Sequence, residues 1–344
     1  MIETIKTPQE LEKEFYSKPL VLSYSGLNKL LFSPKLYYKH YVLQQREEKL
    51  ESYLIDGKVI HNLLLDDGSF DKSFILLPST LPTGNSRLVI DKVFQKHKEH
   101  ILSSFGTIGT LDDFGKDILD ILKEINLHQA LKTDAQRFAK IITEETISYF
   151  EFLKVKGNKD LIDNETLQRC NEAVDVIKSN SKATELLGTY RSEMDNTKIH
   201  NELMLSIDQY SSAEFSSFGL RGAIDNMKID FDAKIIYIND LKTTGKTVAD
   251  FEETVKFYNY NLQAAIYQRL VKEKLKDSID ADWKIVFHFI VVDKYNQVYC
   301  FEVSSTTMQN WQNELNLKLA EAEWHYKNNK YDLPFKFETG QVIL

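Results

Sequence analysis

The order of residue patterns along this chain predicts a mixed α/β protein, with a large helical first part followed by strands that alternate with helices in its second part. Over residues 1–198, apolar residues recur at the three- and four-residue spacing of amphipathic helices. From residue 199 the chain changes to short runs rich in β-branched and apolar residues, which is typical of strands. We therefore expect a helical region over residues 1–198 and a core over residues 199–344, joined in one integrated domain.

Composition and charge limit the functional classes. The 344 residues include 43 basic and 51 acidic side chains, which gives a formal charge of −8. This balance argues against a non-specific DNA coat, but not against an enzyme that concentrates cations in a channel and acids at a metal site. The two cysteines are too few for an iron–sulfur cluster. We expect a cytoplasmic protein without a membrane partner, because no apolar run approaches the ~18 residues of a membrane span.

The first part of the chain has the pattern of successive helices. In "LSYSGLNKLLFSPKLYYKHYV", Pro34 can open a second helix at its first turn. The segment "DGKVIHNLLL", residues 56–65, has helical spacing and carries His61. Residues 77–86, "LPSTLPTGNS", combine two prolines with a glycine and are the best candidate for a mobile connection. Residues 111–188 again show one helical pattern after another, so the sheet is expected only beyond them.

The second part begins with three predicted strands, "HNELMLSIDQY", "LRGAIDNMKIDF" and "KIIYINDLK". The last two form a hairpin, because residues 231–234, "FDAK", are a connection short enough for one. A long helix is expected over residues 250–275, followed by the strands "WKIVFHFIVV" and "QVYCFEVS" and a closing helix. The predicted core is therefore three strands, a helix, two strands and a helix.

Acidic residues interrupt the predicted strands where they could share a cation. Asp240 and Lys242 point to one face of their strand and Leu241 to the other, because side chains alternate. In the hairpin, Asp225 could be a cross-strand neighbour of Asp240, and Glu202 adds a third acid on the preceding strand. Two carboxylates this close repel each other unless a cation lies between them, and Mg²⁺ takes oxygen ligands.

A lysine beside such a metal could orient or deprotonate a water, or stabilise charge on a phosphate. Gln263 and Tyr267 share a helix face and could hold a phosphate, a water or Lys242. Each residue alone also has a structural interpretation: a solvated Asp-x-Lys pair, a turn residue at Asp225, a core histidine at His61, or ordinary helix surface. The segment "TTGKT" is not a P-loop, because the first glycine of that motif is missing.

In their joint order, these motifs resemble those of the PD-(D/E)xK nuclease superfamily, and more narrowly those of phage- and prophage-encoded exonuclease VIII-type (RecE-like) enzymes. The matching stretches include "DGKVIHNLLLDDGSFDKSFIL", "GLRGAIDNMKID" and "INDLKTTGKTVADFEETVKFYNYNLQAAIYQRLV", and they extend over residues 22–271. The chain departs from the family in having "AIDN" where a Pro-Asp would stand, and in lacking the cysteine cluster of iron–sulfur relatives. Residues 84–160 show little family pattern.

The resemblance implies a restriction-endonuclease-like core, with a mixed central sheet flanked by helices, and a role for each motif residue. The implied metal is Mg²⁺, for which Mn²⁺ could substitute, with no iron–sulfur cluster. Its implied ligands are Asp225, Asp240, the carbonyl of Leu241, Glu202 and His61. The implied catalytic residues are Lys242, Asp240, Asp225, Glu202, Gln263 and Tyr267.

The implied activity is hydrolysis of a DNA phosphodiester by metal-activated water. Exonuclease VIII-type enzymes digest one strand of linear double-stranded DNA from a 5′ end, supply a single-strand annealing recombinase, and assemble as rings or tetramers. The resemblance thus implies a 5′–3′ exonuclease of phage-type recombination or DNA end processing, located in the bacterial host cytoplasm. Two alternatives stay open: an endonuclease or nickase on the same core, and a catalytically inactive DNA-binding or assembly protein.

A basic segment suggests where DNA would lie. Residues 84–100 follow the segment rich in proline and glycine and could form a mobile flap over a DNA channel, with an exposed helix face as the alternative. Lys246, just beyond the Asp-x-Lys motif, is a further candidate. The predicted DNA-binding residues are Arg87, Lys92, Lys96, Lys98 and Lys246.

Overall fold

The structure is a computed structural model, and it describes residues 7–18, 20–45, 52–66, 68–78, 80–103, 109–157, 159–190, 195–208 and 218–342. The chain forms two compact units, residues 1–67 with 169–344 and residues 68–168. The larger unit combines N-terminal helices with the strand-rich second part of the chain, so the change of pattern expected at residue 198 lies inside it. No helix in these described ranges combines the length and apolar character needed to cross a membrane.

The helices follow one another through the first half of the chain and alternate with strands in the second half. In the described residues they are α1 (Pro8–Tyr16), α2 (Tyr24–Phe32), α3 (Pro34–Tyr37), α4 (Ser52–Leu65), α5 (Phe70–Ser73), α6 (Gly84–Ser103), α7 (Gly115–Glu124), α8 (Asp134–Ile141), α9 (Glu144–Lys156), α10 (Asn164–Ser179), α11 (Ser181–Leu187), α12 (Phe251–Tyr258), α13 (Tyr260–Leu275), α14 (Ser305–Asn328) and α15 (Phe335–Glu338).

The strands are β1 (Leu20–Leu22), β2 (Phe74–Leu76), β3 (Asp160–Ile162), β4 (Thr197–Ile207), β5 (Phe218–Asp230), β6 (Ile235–Thr244), β7 (Lys284–Asp293) and β8 (Val298–Val303). In the described part of the larger unit, the sheet runs in the order β1–β5–β6–β7–β8, and β4 pairs with β5. The β1–β5 and β6–β7 pairs are parallel, whereas the β4–β5, β5–β6 and β7–β8 pairs are antiparallel. In the smaller unit, β2 and β3 form a parallel pair.

The mixed sheet is flanked by helices, as the sequence predicts. Ile238 of β6 belongs to an apolar core that includes Leu262 of α13 and Leu315 of α14. The next residue, Asn239, points to the other face, because side chains alternate along a strand. There its amide donates a hydrogen bond to the carbonyl of Leu186, in α11, at 2.9 Å. Helices therefore pack on both faces of the sheet.

Three details differ from the sequence-based expectation. The short strands β2 and β3 lie in the region predicted to be helical, and they were not expected because they pair with each other across a long stretch of chain. The helix predicted over residues 250–275 is two helices, because Asn259 has φ 56° and ψ 40°, a left-handed conformation that ends α12. The three-residue strand β1 was not predicted, because its partner is distant in the chain: Leu20 pairs with Phe218. The predicted hairpin is confirmed, with the turn at residues 231–234.

The predicted basic segment belongs to a packed helix of the smaller unit. Residues Val89, Ile90, Val93 and Phe94 of α6 are buried in the apolar core of that unit. Such packing fits the exposed-helix-face alternative rather than a free flap. DNA contact through this helix stays a prediction.

Candidate metal and catalytic site

The side-chain alternation of β5 reverses at Asp225. Leu220 and Ile224 lie in the main apolar core, and so do Met227 and Ile229. Even-numbered residues therefore point into the core before Asp225, and odd-numbered residues do so after it. A regular strand cannot do this, because its alternation has a period of two. The strand is thus distorted where the first acid of the site stands.

The distortion of β5 coincides with an unusual backbone conformation at Glu202, on the neighbouring strand β4. This residue faces Asp225, and the β4–β5 register is continuous on either side without an inserted residue. Glu202 has a φ of 48°, in the left-handed region that side chains other than glycine and asparagine seldom adopt. Backbone strain of this kind persists only where surrounding structure enforces it, and it concentrates at functional sites. The strained conformation places the Glu202 carboxylate beside His61.

Strands β5 and β6 diverge next to Asp225. The last pair of their ladder on this side is Asn226 with Asn239. One step further, the carboxylate of Asp225 accepts a hydrogen bond from the backbone N–H of Leu241 at 2.8 Å. The Leu241 carbonyl oxygen in turn lies 3.1 Å from His61 Nε2. The side chain of Asp225 thus links the two strands where their backbones separate.

His61, Glu202 and Asp225 form a compact group of possible ligands. One ligand atom from each lies within 4.8 Å of the others. His61 Nδ1 is 3.6 Å from Glu202 Oε1, and its Nε2 is 3.7 Å from Asp225 Oδ2. Burial alone would lower the pKa of His61, but the Asp225 carboxylate and the hydrogen bond to Glu202 raise it to about 9. The imidazole therefore lies in a strongly negative environment that favours bound positive charge.

Asp240 lies beside this group rather than within it. It is fully buried, and its Oδ2 is 2.5 Å from Lys242 Nζ. Its Oδ1 has no hydrogen-bond donor among the described residues. Burial and the Asp240 carboxylate raise the pKa of Asp225 well above its usual range. The two acids are therefore close enough to repel each other.

Lys242 brings a further positive charge to the site. Burial would lower its pKa, but Asp240 and Asp225 outweigh burial and raise it. The ammonium group also lies 4.6 Å from the centre of the Tyr260 ring. A lysine held protonated in this way can stabilise negative charge but is a poor proton acceptor.

These residues fit a divalent cation. Carboxylate and carbonyl oxygens are ligands for Mg²⁺ and Mn²⁺, while an imidazole nitrogen also suits transition metals. The buried, unpartnered oxygen of Asp240 is an independent sign, because burying such an atom without a partner is unfavourable. A cation between the acids would remove both the repulsion and the missing contact.

Helix α13 places the predicted Gln263 and Tyr267 against the sheet. Gln263 Nε2 donates to Tyr267 Oη at 2.9 Å, and both side chains are buried. Gly222 makes room for the tyrosine, because a Cβ there would come within 2.7 Å of the ring atom Cε1. Burial, and then Asp240 and Asp225, raise the pKa of Tyr267, so its phenol keeps its proton. This pair supports the site from the core side.

An asparagine ladder, which the sequence analysis missed, fixes the strands next to the acids. Asn226 Nδ2 donates to Asn201 Oδ1 and Asn239 Nδ2 donates to Asn226 Oδ1, each at 2.8 Å. Asn201 Nδ2 also donates to the Leu65 carbonyl, at the end of α4, at 2.9 Å. Each of the three asparagines is adjacent in sequence to one of the three acids. That Asn–acid repetition on successive strands is the signal that could have revealed the ladder.

Tyr260 was also missed, although it lies one helical turn before Gln263 and so on the same face of α13. Its contact with Lys242 depends on tertiary packing and could not be read from spacing alone.

The predicted DNA-binding residues are paired with acids or partly buried. Lys246 Nζ is 3.7 Å from Glu253, and both are exposed. In the smaller unit, Lys92 Nζ is 2.6 Å from Glu124 and Lys96 Nζ is 2.6 Å from Asp117. The other two residues lie on the same helix, α6. Arg87 contacts Asp91 and Tyr149, and Lys98 is half-buried. Their role in DNA binding stays a prediction.

No protein-family model matches the chain, and no curated protein matches it. Thirteen chains of solved structures do match. One is a crystal structure from Eubacterium rectale described as a "putative exonuclease", with 12% sequence identity and a TM-score of 0.45. That match covers 96% of this chain and 88% of the other chain. This similarity is too low to assign a function to the chain.

Proposed function

We propose that the larger unit is a divalent-metal-dependent nuclease of the PD-(D/E)xK superfamily, which hydrolyses phosphodiester bonds of linear double-stranded DNA. The observation that supports it most is the arrangement of Asp225, Asp240 and Lys242 in one buried cluster beside His61 and Glu202. Without a cation, this cluster holds the carboxylates of Asp225 and Asp240 close together in the interior, where they repel each other and Asp240 Oδ1 has no donor among the described residues, which is unfavourable.

Asp225 and Asp240 would hold the cation, with Glu202, His61 and the Leu241 carbonyl as further ligands. The chemistry that a bound Mg²⁺ or Mn²⁺ supplies is polarisation of the phosphate and activation of a water. The Asp225 carboxylate is held in position for this task because it accepts a hydrogen bond from the backbone N–H of Leu241 at 2.8 Å.

Lys242 would stabilise the negative charge that develops on the phosphate. Its ammonium is held between Asp240, at 2.5 Å, and the face of Tyr260, at 4.6 Å. These two contacts restrict the movement of an otherwise flexible side chain. Preorganised positive charge of this kind stabilises a transition state without further reorganisation.

The remaining parts of the proposal rest on the motif resemblance alone. They are 5′–3′ polarity, action on free DNA ends, a role in phage-type recombination or end processing, and a single-strand annealing recombinase as partner. Assembly as a ring or tetramer and a location in the bacterial host cytoplasm have the same basis.

The test is incubation of the purified protein with linear and with closed circular duplex DNA, in Mg²⁺, Mn²⁺ or EDTA. We expect loss of linear DNA in either metal and none in EDTA. Asp240→Ala and Lys242→Ala should abolish hydrolysis, whereas Lys276→Ala, in an exposed pair with Glu273 at the C-terminal end of α13, should retain it. Cutting of circles would indicate an endonuclease or nickase instead. Binding without hydrolysis in any metal would overturn the enzymatic proposal.

A further inference from the structure

A series of aromatic rings leads from Lys242 to the surface. The ammonium lies 4.6 Å from the ring centre of Tyr260, and the rings of Tyr260 and Tyr258 are stacked at 5.5 Å with an angle of 23°. The Phe257 ring meets Tyr258 edge-on at 4.9 Å. Exposure increases along the series, to 42% for Tyr258 and 77% for Phe257. The outermost ring therefore stands in solvent, at the end of a path that begins at the proposed catalytic charge.

The turn that carries these rings is held firmly. Asn259, in the left-handed conformation, donates its side-chain amide to Asn28 Oδ1 at 2.7 Å. Asn28 Nδ2 donates to the Tyr258 carbonyl at 3.3 Å, and the Tyr24 hydroxyl donates to the same oxygen. These contacts fix the junction of α12 and α13 to α2. Phe257 is thus displayed on a rigid support.

We propose that Phe257 and Tyr258 form a stacking platform for an unpaired nucleobase of the strand that enters the site, an inference that rests on the proposed nuclease function. Base–aromatic stacking accepts every base, because each has a π-face, and so it suits an enzyme without sequence preference. The platform supplies what the acidic site lacks, an attractive surface for the neutral part of a nucleotide. Tyr258 stacks on Tyr260, whose ring contacts Lys242, so a base on this platform would lie at the edge of the proposed site.

The position of these rings favours this occupant over a protein partner. An exposed phenylalanine alone needs no explanation. Here, however, the exposed ring is continuous with Tyr260, which contacts the ammonium of Lys242. A second copy seated on Phe257 would cover the outer end of that path. Self-association is therefore an outcome of the test rather than part of the proposal.

The test compares wild type, Phe257→Ala and Phe231→Ala. Phe231 is 44% exposed at the β5–β6 turn, at the opposite end of β6 from Lys242, and serves as the matched control. Binding of a fluorescent single-stranded oligodeoxynucleotide is measured by anisotropy in Ca²⁺, alongside a second oligonucleotide in which every base is replaced by an abasic site. A 2-aminopurine at the end of the normal oligonucleotide reports stacking directly.

We expect Phe257→Ala to bind the normal oligonucleotide roughly ten-fold more weakly, within the range that stacking supplies. Its affinity for the abasic oligonucleotide should equal that of wild type, and Phe231→Ala should match wild type on both. Hydrolysis by wild type with unchanged binding in Phe257→Ala would overturn the platform and leave the nuclease proposal standing. A changed oligomeric state of Phe257→Ala in size-exclusion chromatography would assign the ring to an interface and likewise overturn it. If wild type neither binds nor hydrolyses DNA, both proposals fail.

Discussion

Lys242→Met should strongly destabilise the larger unit when no metal is bound. The Nζ–Oδ2 distance of 2.5 Å corresponds to about 7 kcal/mol of attraction at an effective dielectric constant of about 20. The substitution leaves the fully buried Asp240 without the ammonium group that balances its charge, and the loss of one partner costs about 3–5 kcal/mol in comparable pairs. This cost has an upper limit, because the unpaired carboxylate can take up a proton instead. Protonating a carboxyl of ordinary aspartate pKa at pH 7 costs about 4 kcal/mol. We therefore expect a loss of about 3–4 kcal/mol.

The assay is urea unfolding in EDTA at pH 7, followed by tryptophan fluorescence. All three tryptophans, Trp283, Trp311 and Trp324, lie in the larger unit, so the signal reports the unit that contains the site. The double variant Asp240→Asn with Lys242→Met removes both charges and should recover most of the lost stability.

The matched control is Lys246→Met, which breaks an exposed pair with Glu253 and should change stability by no more than about 1 kcal/mol. If Lys242→Met lies within about 1 kcal/mol of wild type in EDTA, the pair is not the buried charge pair described above.

Three further predictions concern the distorted strands and the titrating groups. Gly222→Ala should lower stability by about 1–3 kcal/mol and reduce turnover, because its Cβ would approach the Tyr267 ring within 2.7 Å; a variant unchanged in both assays would contradict this. Glu202→Gly should weaken Mn²⁺ binding by calorimetry while keeping or raising stability by about 1 kcal/mol, because glycine adopts the φ of 48° without strain; a clear loss of stability would count against the strain. The raised pKa of His61, about 9, contributes stability that is present below pH ~6.5 and lost as pH rises through 9, and the raised pKa of Asp225 acts in the same direction. The urea midpoint in EDTA should thus fall between pH 6.5 and 9, and a rising midpoint would refute this assignment.

The sequence predicts the parts of the site that depend on local geometry. Asp240 and Lys242 share a face because alternation is a property of any strand. Asp225 comes near Asp240 because a four-residue turn sets the register of the hairpin up to the Asn226–Asn239 pair, next to both acids. The mixed sheet with flanking helices was implied by the motif resemblance, and the predicted order of strands and helices agrees with it. Residue spacing and turn length are therefore enough to predict the acid–acid–lysine arrangement.

The remaining features depend on contacts distant in the chain. The left-handed Glu202 has no sequence signal, because glutamate disfavours that conformation and only surrounding structure enforces it. The contact of Lys242 with Tyr260 and the clasp between Asn28 and Asn259 join segments that no local pattern relates. Local patterns thus predict the residues of the candidate site, while long-range packing sets its strain and its aromatic surroundings.

Anomalous scattering from crystals grown with Mn²⁺ is the most direct measurement of whether these acids share one cation. We expect a peak within bonding distance of carboxylate oxygens from both Asp225 and Asp240. Hydrolysis of DNA that survives in EDTA, or a Mn²⁺ peak that avoids both carboxylates in active crystals, would contradict the proposed metal site.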